Sequence, residues 1–315
     1  MAKIRLVPDR MLAKSGEMRS NPGDSPNPTA ALKSKLTDYY TLTKPEVNLL
    51  ILMTTSAGFY LASRTHFRLS LLFSTLLGTV LVASGTATLN QWMERAWDGR
   101  MRRTAQRPLP TGRISPRAAF VFGLCLSIAG GAYLVLTVNL LSGMLAIATL
   151  LSYLLIYTPL KRKTALCTML GAIPGAMPTL IGWAGATNRI DPQAWYLFAI
   201  LFLWQFPHFL AIALMYREDY ERAGYRMLPA FDADSRFTRA EIVGFAVVLV
   251  AATVLPGVAR QSVWYSGSML LAGSLLLYSC VRLAQTGSRI VATRVLHHSV
   301  IYLPVVLAVM AFMRC

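Results

Sequence analysis

Charge is what this sequence has least of. Only 14% of its 315 residues are charged, and Asp and Glu together number 14. A soluble domain does not sustain so little charge alongside 55% hydrophobic residues and a mean hydropathy of +0.48, so the composition is that of an integral membrane protein. Strand-like alternation of polar and apolar residues is missing as well, which argues against an outer-membrane barrel. Cysteine is scarce: Cys125, Cys167, Cys280 and Cys315 lie in or at the ends of apolar runs without metal-ligand spacing. They read as small hydrophobes and imply no disulfide framework. The N-terminal stretch has no apolar core and is therefore not a secretory signal peptide.

What the chain does have is a succession of long apolar runs, near 46–63, 69–91, 117–137, 140–158, 166–186, 194–214, 240–259, 265–283 and 297–313. Each is long enough to cross the roughly 30 Å of bilayer hydrocarbon. The fold class expected is all-α, a polytopic membrane protein of about nine transmembrane helices. Placing the N-terminus in the cytoplasm puts all of the 31 Lys and Arg inside except Arg64, Arg68, Arg189, Arg260 and Arg314. That bias sets the N-terminus inside and the C-terminus outside. It also accounts for the net charge of +17 by topology, so nucleic acid is not an expected partner. Residues 1–37, with their S-N-P-G-D-S-P-N-P segment, read as a disordered cytoplasmic tail, and 38–315 as the transmembrane domain. Asp9, Glu17 and Asp24 weigh against a mitochondrial transit peptide, which favours a bacterial cytoplasmic membrane over the mitochondrial inner membrane.

The stretch from Asn90 to Pro110 reads N-Q-W-M-E-R-A-W-D-G-R-M-R-R-T-A-Q-R-P-L-P. If the preceding helix runs on through it, Asn90, Glu94 and Asp98 follow each other at four-residue steps of about 40°, within an arc of about 80°. One helix face then carries three hard oxygen ligands, and Arg100, Arg102, Arg103 and Arg107 follow at once. Acidic oxygens beside an arginine cluster suit a divalent cation together with a polyanion such as a diphosphate. A juxtamembrane loop whose arginines only set topology is the competing reading of the same residues.

Three further segments bear on that choice. Y-T-P-L-K-R-K-T, residues 157–164, puts Lys161 on the same side of the membrane, either as a positive-inside signal or within reach of a shared anion. G-A-I-P-G-A-M-P, residues 171–178, is expected to bend or thin its helix, and serves either a cavity or tight packing. W-Q-F-P-H-F places Gln205 and His208 inside an apolar span, where polar groups are costly and face a cavity or a partner. Tyr216, Glu218, Asp219 and Glu221 then emerge on the side that carries Asp98, four helices later, as in an internal duplication. His297 and His298 read as interfacial residues at the start of the last helix.

With N-x-x-x-E-x-x-x-D, R-R-T-x-x-R-P-L-P, Y-T-P-L-K-R-K-T, W-Q-F-P-H-F and D-Y-E-R-A-G-Y-R-M-L-P in view, the chain from about Tyr39 onward resembles the protohaem IX farnesyltransferase (haem O synthase) family of the UbiA-type intramembrane prenyltransferases. The resemblance implies helices around a central cavity and a Mg²⁺-dependent enzyme that farnesylates haem B at a vinyl group to give haem O. It implies Asn90, Glu94 and Asp98 as the first metal-diphosphate motif and Asp219 as the second, these four being the catalytic and metal residues. Where the wider superfamily often has a further acid four residues on, this chain has Ala223. Arg102, Arg103, Arg107 and Lys161 are implied to bind farnesyl diphosphate, with His208 and Tyr216 also facing substrate. Haem B, farnesyl diphosphate and lipid are the partners implied, with a haem A synthase or terminal oxidase assembly downstream. The alternatives are prenylation of an aromatic quinone precursor and, from a different class, secondary transport, which predicts essential polar groups at mid-bilayer.

Overall fold

The computed structural model describes residues 28–63 and 66–313, with side chains from residue 32. Every regular element among them is helical. The chain begins with α1 (Pro28–Leu42) and turns at Lys44 into α2 (Pro45–Ala62). It continues with α3 (Leu69–Asp98), α4 (Pro116–Thr137) and α5 (Leu140–Leu151). A π-helical turn, Ser152–Tyr157, joins α5 to α6 (Thr158–Leu160). Then come α7 (Cys167–Thr187), α8 (Pro192–Met215), the short α9 (Arg217–Arg222), α10 (Arg236–Ala259), α11 (Val263–Thr286) and α12 (Arg289–Met313).

Eight helices among the described residues are long and apolar enough to cross a membrane, α5 through α6 counting as one. The remaining expected span, 46–63, is α2, whose opening turn spends its length on Pro45, Glu46 and Asn48. Of the expected tail, residues 28–37 belong to the helix Pro28–Leu42, and the rest lies outside the described residues. The helix holds because Leu42, Tyr39 and Asp38 have partners. Leu42 is fully buried with Leu109, Ile114 and Ala119, and Asp38 accepts from Arg113 Nε at 2.9 Å. His297 and His298 are also displaced from expectation, since α12 starts at Arg289 and carries them two turns inside it.

Local chemistry sets the helix starts. Ser115 precedes Pro116 and accepts from the Ala118 amide at 3.2 Å, a side-chain cap with proline in the first turn. Asn139 caps α5 through the Ser142 amide at 2.8 Å and donates to the Ala184 carbonyl of α7, also at 2.8 Å. In lipid, where apolar surface gains nothing by leaving other apolar surface, close backbone approach carries the packing. The α2–α7 pair shows this: a Cβ at Gly58 would lie 2.3 Å from the Thr179 carbonyl oxygen, and one at Gly182 2.0 Å from that of Thr55. The two prolines of the 171–178 segment sit in an unbroken α7, with Gly171 against Tyr157 and Gly175 against Gln205. Tight packing is therefore the role of its glycines.

The larger core is built from α7, α8, α10, α11 and α12, and a smaller one from α3, α4 and α5. From the smaller core, α3 runs past the apolar run to Asp98. The π turn has a local cause: Pro159 has no N–H to give to the preceding turn. The Thr158 hydroxyl bonds back to the Tyr153 carbonyl at 2.8 Å, and the widened turn leads into Lys161.

Candidate active site

The α3 face anticipated from the spacing exists, and all three of its oxygens are buried: Asn90 is 1% exposed, Glu94 6% and Asp98 1%. Each meets a different cation. Arg107 Nη1 lies 2.7 Å from Asp98 Oδ2, Lys161 Nζ lies 2.9 Å from Glu94 Oε1, and Lys44 Nζ donates to Asn90 Oδ1 at 3.4 Å. The three cations arrive from three separate elements. Lys44 is at the α1–α2 turn, in a left-handed conformation at φ 51°. Lys161 follows α6, and Arg107 belongs to the loop after α3. Backbone contacts hold that loop: the Thr104 hydroxyl donates to the Asp98 carbonyl at 2.7 Å.

Second contacts fix these groups further. Asn90 Nδ2 donates to the Thr158 hydroxyl at 3.1 Å. Lys161 sits 4.5 Å over the Tyr157 ring, and its carbonyl accepts from the Arg226 amide at 2.8 Å. These contacts shape the protonation states. Burial pushes the Lys44 ammonium down to about 7, aided by like-charge repulsion from Arg107 and Lys161. Burial also works against the Lys161 charge, but the Glu94 carboxylate outweighs it and holds that ammonium well above its ordinary value. Tyr225 is raised first by burial and then by the nearby Glu94 charge, so its phenol stays protonated.

The second half of the site faces this cluster. Asp219 lies on α9, buried, with Arg222 Nη1 3.3 Å from its Oδ1. Arg103 crosses between the halves: its guanidinium stands 5.2 Å over the Tyr216 ring and Nη2 is 3.5 Å from the Tyr220 hydroxyl. Beneath it Met101, Ala223 and Tyr225 pack together with Trp97 and Tyr220. Arg102 is exposed, and the exposed Arg162 stacks 3.8 Å over Trp97. Asn90, Glu94, Asp98, Arg107, Lys161, Arg103, Tyr216 and Asp219 thus share one end of the bundle. His208 lies deeper, eight residues and about 12 Å of helix before Tyr216. A cavity of about 490 Å³ beside Phe67, Trp183 and Arg260 opens at the opposite end and holds none of these residues.

Among the described residues no three acidic, histidine or cysteine side chains converge as they would around a bound ion. The oxygens of Asn90, Glu94 and Asp98 are instead each held by a cation. Three residues of this cluster carried no functional sign in the sequence. Lys44 looked like one tail cation among several, Thr158 had no charge to mark it, and Tyr225 lay within a quoted motif with no role attached. Only the Lys44-Pro45 junction, a helix start on the same side as Asp98, offered a signal.

Comparison with known proteins identifies the family and the fold. The profile of the UbiA prenyltransferase family matches residues 51–311. The protoheme IX farnesyltransferase of Solibacter usitatus (strain Ellin6076) is 47% identical over 88% of this chain and 98% of its own length. That of Koribacter versatilis (strain Ellin345) is 42% identical over 91% of this chain and 96% of its own. Among solved structures, a digeranylgeranylglyceryl phosphate synthase superposes with TM-score 0.73 at 18% identity, covering 89% of this chain and 99% of that one. A UbiA homologue from Archaeoglobus fulgidus bound to GPP and Mg²⁺ superposes with TM-score 0.61 at 16% identity, covering 87% and 99%. At these identities the structural likeness bears on the fold.

Proposed function

The chain belongs to the UbiA prenyltransferase family, and from that premise we propose that it transfers the farnesyl group of farnesyl diphosphate to a vinyl group of haem B, with addition of water, to give haem O. The relatives matched over nearly their whole length carry the name of that activity. The observation that carries the reading is the set of three buried oxygens on α3, each paired with its own cation at one mouth of the bundle. Family membership leaves secondary transport without support, and residues 38–315 are the unit to which the activity belongs.

Asn90, Glu94 and Asp98, with Asp219 opposite, fit a magnesium ion: the donors are hard oxygens from two facing elements. When bound, the ion supplies positive charge against the departing diphosphate. The chain's own cations do the rest. Lys44, Lys161 and Arg107, released from the acids, turn to diphosphate oxygens, where Arg102 and Arg103 offer bidentate donors. Their charge favours the state in which the allylic C–O bond breaks and its electron pair leaves with the diphosphate. The vinyl carbon then forms the new C–C bond, and water fills the resulting cation on the porphyrin side with loss of a proton. The apolar walls of α7 and α8 keep other water from the allylic carbon until then. Tyr216 holds Arg103 over the mouth, and His208 faces the haem.

The membrane assignment is multi-pass. We place the protein in a bacterial cytoplasmic membrane, with the diphosphate mouth and N-terminus inside, the C-terminus outside, and the product passing to a haem A synthase or terminal oxidase assembly. The test is incubation of membranes with haem B, farnesyl diphosphate and Mg²⁺, followed by chromatography of the haems. Haem O forms with the native chain, and Asp98→Ala lowers its rate by about 10²-fold or more. No haem O from folded protein, or an undiminished rate in Asp98→Ala, defeats the reading.

A further inference from the structure

Deeper in the bundle, α8 and α12 share a polar contact for which prenyl transfer at the mouth gives no reason. His208 Nδ1 is 2.9 Å from the hydroxyl of Ser299, a fully buried residue of α12. The same hydroxyl donates to the Leu296 carbonyl at 2.7 Å. A serine hydroxyl has one proton. With that proton committed to Leu296, the Ser299 oxygen accepts from His208, so Nδ1 carries the ring hydrogen and Nε2 keeps a bare lone pair.

Trp204 locks the pair. Its indole stacks on the imidazole with centroids 4.6 Å apart at 23°, and its Nε1 donates to the Ser299 carbonyl at 2.7 Å. The ring therefore has neither a free tautomer nor a free orientation. Gln205, three residues earlier, donates to Ala172 of α7 at 2.9 Å, about 60° around the helix from His208. Helix α2 packs against both α7 and α12, the two helices to which Gln205 and His208 are bonded.

On the reading that haem B is the acceptor, we infer that Ser299 is a positioning residue that presents His208 Nε2 to the haem iron. A neutral imidazole whose Nδ1–H is held by an oxygen is the form that ligates a metal, and the held hydrogen orients the ring and raises its basicity. A haem propionate asks for the opposite tautomer, with hydrogen on Nε2, so this contact selects iron. Ligation at His208 would hold the haem about 12 Å of helix deeper than Tyr216.

The experiment is titration of ferric haem B into the purified full-length chain in detergent, followed by absorption spectra and, after reduction, resonance Raman of the iron–histidine stretch. Native protein gives a histidine-ligated spectrum. His208→Gly loses it and regains it on addition of imidazole. Ser299→Ala binds haem about 10–100-fold more weakly, and its iron–histidine stretch falls because Nδ1 has lost its acceptor. Thermal unfolding without haem establishes that each variant is folded. A spectrum unchanged in His208→Gly overturns the inference, and so does a Ser299→Ala protein with native affinity and native stretch. Haem O synthesis assayed in parallel separates the two readings. If the native chain makes none, prenyl transfer to haem fails; if it makes haem O while iron spectra ignore His208 and Ser299, only the positioning role fails.

Discussion

At the scale of single residues the mouth of the bundle is governed by cations taken out of water. Lys44 is the sharpest case, because burial first, then Arg107 and Lys161, bring its ammonium to about 7. The sign is that of a depressed base: the folded protein gives up this proton near pH 7 while the unfolded chain keeps it to about 10.4, so the cost of holding it charged is full below 7 and is relieved as pH rises. A bound diphosphate reverses the preference by rewarding the charge. KM for farnesyl diphosphate should therefore rise between about pH 6 and 9, and the rise should flatten in Lys44→Met; initial-rate kinetics across that range provide the check. The Lys161–Glu94 pair is nearly buried on both sides. Removing either partner alone should cost about 3–5 kcal/mol, because it strands a buried charge. The double variant Lys161→Met, Glu94→Leu should be less destabilised than the sum of the singles, a coupling that thermal unfolding of all four proteins measures. Asn90, Glu94 and Asp98 were legible as one face because four-residue steps on a single helix stay together. Lys44 was not, since its contact with Asn90 spans 46 positions of sequence and no local period reports it.

At the scale of elements, the α2–α7 contact decides how closely the two halves of the bundle approach. Backbone carbonyl oxygens occupy the space a side chain would need at Gly182, so Gly182→Ala forces the helices apart and should cost at least about 1–3 kcal/mol. Gly244, where an added Cβ meets nothing within 4 Å, is the matched control. There the same change should be neutral or gain up to about 1 kcal/mol of helix propensity. Unfolding temperatures in one detergent distinguish the two. Helix existence and order were readable from the apolar runs, because a bilayer imposes length on every span. The meaning of the 171–178 segment was not readable, since proline and glycine mark both broken and tightly packed helices. The neighbouring backbone, absent from the local sequence, chooses between them. The helical start at Pro28 escaped the sequence for a similar reason: its polar residues are held by Asp38–Arg113 and by Leu42 against Leu109, partners some 70 residues away.

For the molecule as a whole, the acids of the mouth are paired with the chain's own cations, so folding should not depend on metal binding. Chelation of Mg²⁺ should abolish haem O formation while leaving the unfolding temperature nearly unchanged, and restoring the ion should return activity. Coincident loss of both would mean that the cation pairs do not hold the mouth. By itself the sequence determined the membrane class, the succession of spans, the side on which basic residues gather and the α3 face with its acids. All of these follow from hydrophobic length, charge bias and helical period, which act along the chain. Only the tertiary structure decided that each of those three oxygens has a different cation, that Thr158 bonds Asn90, and that Ser299 and Trp204 pack against His208. Those outcomes depend on which distant side chains share a buried, low-dielectric space, where an unpaired charge or polar group costs too much to leave alone.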